Sequence, residues 1–268
     1  MTEISRAFSD AKAEGRAALV LYICGGDPSL EATTELLLAA GEHADVVELG
    51  VPFSDPAADG PTIQQASERA LEGGATLYGV LDSLSEARER GFNTPVVLFG
   101  YYNPIFSLGE SAVIEKAKAA GVSGFLVVDL PTEEAADFVA LLRAARMSFV
   151  PLVAPTSDAR RVRAAAALGD DFLYYVSMTG VTGSALVDLD EAAQRAARLE
   201  TETGRPVALG FGVQTPEDVQ RVSAYASGVV VGSALVRAHQ ESLPKASALM
   251  KTLRAATPKP SSNSENDS

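Results

Sequence analysis

Eight short runs of apolar, β-forming residues recur along the chain, each followed by a longer stretch of helical composition. No other feature limits the fold as tightly. The runs lie at 17–24, 45–49, 95–99, 124–128, 149–153, 172–176, 206–209 and 228–231. Helical stretches fall between them at 31–41, 63–72, 111–120, 133–146, 158–168, 191–202 and 216–226, and 234–255 reads as the last helix. A strand apolar along its whole length, not only at alternate positions, is buried on both faces, as in a parallel sheet covered by helices. About eight such βα units in roughly 250 residues predict a (β/α)8 barrel, with a doubly wound open sheet as the rival. The helix starts agree: Thr215-Pro216-Glu217-Asp218 orders a capping Thr, a first-turn Pro and first-turn acids, and Pro131-Thr132-Glu133-Glu134 does nearly the same. Residues 5–14 read as an extra helix near the entrance. One domain is expected over 1–256, followed by a disordered tail at 257–268, which contains no apolar residue.

Charge narrows the function. Twenty-two Lys and Arg against thirty-five Asp and Glu leave a net charge of −13, a field that repels nucleic acid and anionic membrane surfaces. Trp is absent and aromatics are only 6%, which also argues against a base-stacking platform. A small phosphorylated ligand remains compatible, because backbone amides bind it locally. The single cysteine, Cys24, cannot form an internal disulfide, and two histidines, His43 and His239, are too few for a typical zinc site, so no metal is expected. No signal segment or spanning stretch of about 18 apolar residues is evident, and a cytoplasmic location is expected.

In a barrel the chemistry belongs at the C-terminal strand ends. The second run ends in Val46-Val47-Glu48-Leu49-Gly50, and a carboxylate inside an apolar strand must be paired, hydrogen-bonded or put to work. Burial raises its pKa toward the range of a general acid and base; the alternative is a Glu bridged to an Arg. The loop beyond it holds three prolines and Asp59, either a second working carboxylate or the centre of an Asx-turn. Gly210-Phe211-Gly212 and Gly232-Ser233 follow the last two runs and open helices, and Gly180-Val181-Thr182-Gly183 follows the sixth. Glycines and helix N-termini at these ends form the usual barrel phosphate site. The six lysines, Lys12, Lys116, Lys118, Lys245, Lys251 and Lys259, all fall in helices or the tail, which argues against Schiff-base chemistry. Catalysis is left to Glu48, Asp59, Asp129, Tyr101 and Tyr174; Asp129 is alternatively a loop-ordering residue and Tyr174 a packing one.

At these residues the sequence resembles a known family. Glu48 to Gln64 (ELGVPFSDPAADGPTIQ) is similar to the signature of tryptophan synthase α subunits. The likeness continues in Gly26-Asp27-Pro28, Tyr101-Tyr102-Asn103-Pro104, Asp129-Leu130-Pro131, the segment from Ser177 to Gly183, Gly210-Phe211-Gly212 and Val231-Gly232-Ser233-Ala234. It covers essentially everything but the tail. Two positions depart from the pattern: Met178 stands where some members carry a basic residue, and Cys24 where a small or polar residue is usual.

The resemblance implies a lyase that splits 1-C-(indol-3-yl)glycerol 3-phosphate into indole and D-glyceraldehyde 3-phosphate. It implies Glu48 as acid and base, Asp59 as the carboxylate holding the indole N–H, and Tyr174 as a supporting group. Phe211, Tyr22 and Phe99 would wall the indole pocket, with Thr182 on a mobile lid over it. Gly183, Gly212, Gly232 and Ser233 would grip the phosphate. It further implies an α2β2 heterotetramer with a β subunit that receives the indole and carries pyridoxal phosphate, this chain needing no cofactor. The loop 53–61 and the segment 102–106 would face that partner. A free-standing lyase and a catalytically weak activating subunit are the alternatives. The neighbouring barrel indole-3-glycerol-phosphate synthase would need a strand-end lysine, and none is present.

Overall fold

A computed structural model describes residues 1–176, 188–210 and 212–258 of the chain. Its strands are β1 (Ala18–Cys24), β2 (Val46–Gly50), β3 (Val96–Gly100), β4 (Gly124–Val127), β5 (Ser148–Phe149), β6 (Leu152–Val153), β7 (Leu173–Val176), β8 (Val207–Gly210) and β9 (Gly228–Val231). Around them lie α1 (Glu3–Ala13), α2 (Leu30–Gly41), α3 (Pro61–Glu72), α4 (Leu77–Glu89), α5 (Tyr102–Leu108), α6 (Glu110–Ala119), α7 (Ala136–Ala144), α8 (Ala159–Leu168), α9 (Leu189–Thr203), α10 (Pro216–Ser223), α11 (Ser233–Glu241) and α12 (Leu243–Ala255). The strands are all parallel, in the order β5-β4-β3-β2-β1-β9-β8-β7-β6.

The two ends of that order are halves of one strand. β5 pairs with β4 and β6 pairs with β7, and only Val150 and Pro151 separate them. The Val150 N–H donates to the Phe125 carbonyl at 2.8 Å, while the Pro151 carbonyl accepts from Tyr174 N–H at 3.0 Å. Proline has no N–H to give, so the ladder breaks there while the strand passes from one neighbour to the other. The fifth apolar run therefore closes the ring, and the (β/α)8 barrel expected from the sequence is the observed architecture.

Side chains alternate about the ring wall. Ala18, Val20, Tyr22 and Cys24 of β1 point inward to join Val97, Phe99, Leu126, Phe172 and Tyr174, whereas Leu19, Leu21 and Ile23 pack outward under the helices. The first helix closes the interior from below: Ile4 and Phe8 are buried, and Phe8 stacks on Phe172 at 4.8 Å. A Cβ on Gly228, at the start of β9, would fall 2.8 Å from the Phe8 ring. The extra helix thus sits under the N-terminal strand ends, opposite the mouth and not near an entrance, because its apolar stripe plugs the barrel floor.

Other boundaries moved for identifiable reasons. The last helix is two, since Ser242 is extended and caps α12 by accepting the Lys245 N–H, with Pro244 in the new first turn. The α4 helix was not singled out from the sequence, although Leu77, Val80, Leu81 and Leu84 make a buried helical stripe behind the capping Thr76. Residues 131–134 form a turn, with Glu134 N–H on the Pro131 carbonyl, so α7 starts three residues later than expected. The capping box Thr215/Asp218 forms as read. Thr257, assigned to the tail, is fully buried and its carbonyl accepts Ala17 N–H at 3.1 Å, while Pro258 bridges to Arg16. Beyond it the tail lies outside the described residues.

Candidate active site

Two adjoining cavities open at the C-terminal strand ends. One, of about 100 Å³, is lined by Tyr22, Glu48, Asp59, Phe99, Tyr174 and Val230, and by Gly60, Ile63, Gly212, Val213, Gln214, Gly232 and Ser233. The other, of about 240 Å³, shares Asp59, Phe99 and Tyr174 and adds the apolar Val128, Leu152, Val153 and Val176. The mouth therefore has a glycine-rich end, which holds Glu48, and an apolar end, with Asp59 shared by both.

Glu48 points inward from β2, in register with Tyr22 of β1 and Val97 of β3, and its surface is fully buried. Neither carboxyl oxygen has a hydrogen-bond partner. The Arg bridge is thereby excluded, and burial alone pushes the Glu48 pKa up to about 8. At neutral pH the group is mostly a protonated acid, able to donate.

Asp59 stands on the loop between β2 and α3. Burial lifts its pKa to about 6, against the opposing pull of the Tyr101 hydroxyl, which donates to Asp59 Oδ2 at 3.0 Å. The same hydroxyl accepts the Ala58 N–H at 2.9 Å, and the Tyr101 ring stacks on Phe53 at 4.9 Å. Gln64 Nε2 donates to the Asp59 carbonyl at 2.9 Å. The Asp59 carboxyl is thus held by the end of β3, not spent on an Asx-turn of its own. At neutral pH it is mostly ionised, so the pair presents one acid and one carboxylate to the same space.

Tyr22 and Tyr174 face the pocket in matching ways. A Cβ on Gly50 would lie 2.3 Å from the Tyr22 hydroxyl, and one on Gly210 would lie 2.0 Å from that of Tyr174. Each phenol rests on a strand-end glycine of the next strand, an approach that any side chain there would block. Burial, with the nearby carboxyl groups, holds both phenols well above their ordinary range, so they are neutral hydroxyls.

At the glycine-rich end, Gly212 has φ of 84°, in the left-handed region. The α11 helix begins at Ser233 with Gly232 as an N-cap that supplies no side-chain hydrogen bond, and both residues line the cavity, where the first N–H groups of the helix lack intrahelical acceptors. Such a helix start suits a small anion. Thr182, Gly183 and Phe211, with Met178, lie outside the described residues. Gln214 and Val213 also line the pocket, although no sequence motif marks them, and Ile63 joins them from within the Glu48–Gln64 signature.

The remaining candidates sit apart. Asp129 Oδ1 accepts the Tyr102 N–H at 2.7 Å and so orders the start of α5, which is the loop-ordering alternative. Burial pushes the Cys24 thiol up to about 12, keeping it protonated in the interior. Among the described residues no cluster of His, Cys, Asp or Glu could hold a metal ion, no lysine lines either cavity, and no helix is long and apolar enough to cross a membrane.

Comparison with known proteins identifies relatives of the whole chain in sequence and in fold. A family profile described as tryptophan synthase alpha chain matches residues 8–263. A tryptophan synthase alpha chain of Azoarcus is 47% identical over 238 residues, covering 88% of each chain. That of Nitrosococcus oceani is 44% identical over 266 residues, covering 96% of this chain and 97% of its own. Among solved structures, a Mycobacterium tuberculosis tryptophan synthase superposes with a TM-score of 0.89 at 34% identity, over 97% of this chain and 99% of that one. The alpha subunit from Legionella pneumophila gives a TM-score of 0.88 at 33% identity, over 96% and 98%.

Proposed function

Since the chain belongs to the tryptophan synthase alpha chain family, we propose that it cleaves 1-C-(indol-3-yl)glycerol 3-phosphate to indole and D-glyceraldehyde 3-phosphate at this mouth. The observation that carries the reading is the buried, unpartnered Glu48 lining the same pocket as Asp59. In this reading the phosphate sits on Gly212, Gly232, Ser233 and the Gly183 segment, and the indole ring lies toward Tyr22, Phe99, Tyr174 and Phe211, under a lid carrying Thr182.

The steps follow from the two pKa values. Protonated Glu48 gives its proton to indole C3, and the positive charge that develops at the ring nitrogen is met by the Asp59 carboxylate. Glu48, now a carboxylate, takes the proton of the hydroxyl on the carbon attached to C3. The bond between those carbons breaks, its electron pair restores the indole, and the oxygen becomes the aldehyde. Glu48 ends protonated, so the cycle needs neither metal nor cofactor from this chain. Pyridoxal phosphate, on this reading, belongs to a β-subunit partner that receives the indole in an α2β2 assembly. Phe106 and Leu108 of α5, 67% and 45% exposed beside the mouth, support a protein-facing surface there.

The test is indole release from the phosphorylated substrate by the purified chain, alone and with a tryptophan synthase β subunit. Slow release that rises with the partner supports the α-subunit reading, whereas fast release without response points to a free-standing lyase. Glu48→Gln keeps shape but removes proton transfer, and should lower turnover roughly a hundredfold or more. Normal turnover by that variant would remove Glu48 from the mechanism. Gly212→Asp should weaken substrate binding by setting a charge against the phosphate; unchanged affinity would move the phosphate elsewhere.

A further inference from the structure

No Lys or Arg lines the glycine-rich end of the pocket among the described residues. One arginine stands just behind it. Arg237 lies on α11, about one turn past Ser233, and its Nη2 donates to the Gln214 side-chain oxygen at 2.8 Å. Its Nη1 donates to Thr62 Oγ1 at 3.3 Å. Gln214 belongs to the segment after β8 that lines the pocket, and Thr62 is the second residue of α3, three positions beyond Asp59. Between Asp59 and Thr62 the chain is stiff: Ile63 and Gln64 N–H groups both return to the Gly60 carbonyl, and Gln64 holds the Asp59 carbonyl. Arg237 has no carboxylate partner among the described residues, so its planar fork serves these two neutral oxygens.

We propose that Arg237 is a positioning residue that couples the phosphate end of the pocket to Asp59. Resting on the lyase reading above, the coupling works through geometry. A guanidinium bonded to both sides holds the Gln214 segment, α11 and the first turn of α3 at one separation. A phosphate that seats on Gly212, Gly232 and Ser233 then also fixes where Asp59 stands relative to the indole nitrogen. The two hydrogen bonds are exposed and individually modest, so the effect belongs in the placement of Asp59 more than in binding strength.

The test uses glycerol 3-phosphate as the probe of the phosphate site, with its affinity measured by calorimetry. In the wild-type chain, bound probe should slow amide hydrogen exchange across 53–60. In Arg237→Met the probe should still bind within about threefold, yet leave exchange in 53–60 unchanged, while kcat for indole release falls roughly five- to tenfold. Arg237→Lys, which keeps a charged donor, should restore both. Thr62→Ala should lower kcat alone, and combining it with Arg237→Met should add little, because both cut one path. Exchange slowed equally in Arg237→Met, multiplicative losses in the double variant, or lost probe affinity with unchanged kcat would each overturn the coupling. A wild-type chain that shows the exchange response but releases no indole would sink the lyase reading and leave the coupling standing. Failure of the probe to bind the wild-type chain would sink the coupling.

Discussion

At the scale of single residues, the decisive contrast lies between two carboxyl groups a loop apart. Glu48 is surrounded by apolar strand and has nothing to bond; Asp59 has a phenol donor, and the difference separates their pKa values in the direction that acid and electrostatic partner need. The same burial has a cost in stability. The folded-state pKa of Glu48, about 8, lies above its unfolded value, so the folded state binds the proton more tightly and stability falls as pH rises from about 4.5 to about 8. Glu48→Gln does not titrate and should be more stable than wild type at about pH 9, losing that margin toward about pH 4.5 in urea titrations. An equal margin at both ends would mean that Glu48 is not buried as an acid. Gly210→Ala should move the Tyr174 ring, since its hydroxyl occupies the Cβ position, and raise KM while leaving the fold intact. An unchanged Tyr174 environment in tyrosine fluorescence and an unchanged KM would count against that contact.

Between elements, the link that matters is the one from β3 to the β2–α3 loop. Tyr101 reaches back to donate to Asp59 and accept from Ala58, so the end of one strand sets the active loop of its neighbour. Tyr101→Phe deletes a donor that lowers the Asp59 pKa, so the acid limb of kcat/KM should move to higher pH. A limb that stays in place would detach Tyr101 from Asp59. Tyr101 could be named from the sequence as one of few residues left for catalysis, but its partner could not, because the contact joins residues forty-two apart. Glu48 was legible for the opposite reason: its oddness inside an apolar run is local. Gln214 and Arg237 had no such mark, and the resting of two phenols on Gly50 and Gly210 exists only across strands. Among the elements, continuous apolar runs located every strand of the ring. Periodicity hid the break between α11 and α12, where one extended serine followed by Leu-Pro outweighs a helical pattern on both sides.

On the scale of the whole molecule, the floor of the barrel is where the chain is fastened. Asp45, at the foot of β2, accepts from Arg16 Nη1 at 2.6 Å and Nη2 at 2.9 Å, from Leu19 N–H at 2.7 Å and from Arg254 of α12 at 2.7 Å. Removing that acceptor leaves the largely buried Arg16 with only Glu14 and the Ala17 carbonyl, so Asp45→Ala should cost about 2 kcal/mol of unfolding free energy without changing the mouth. A loss of indole release at temperatures where the variant remains folded would contradict that separation. The carboxyl pair and the fastening thus occupy opposite faces. The wall joining them is less uniform, because at Val150-Pro151 the strand leaves one neighbour for the other. Leu152 and Val153, just beyond that gap, belong to the apolar end of the pocket. The apolar end of the pocket is therefore walled by a stave of the barrel that is hooped on each side over only half its length, and a ligand filling it would help keep the staves together.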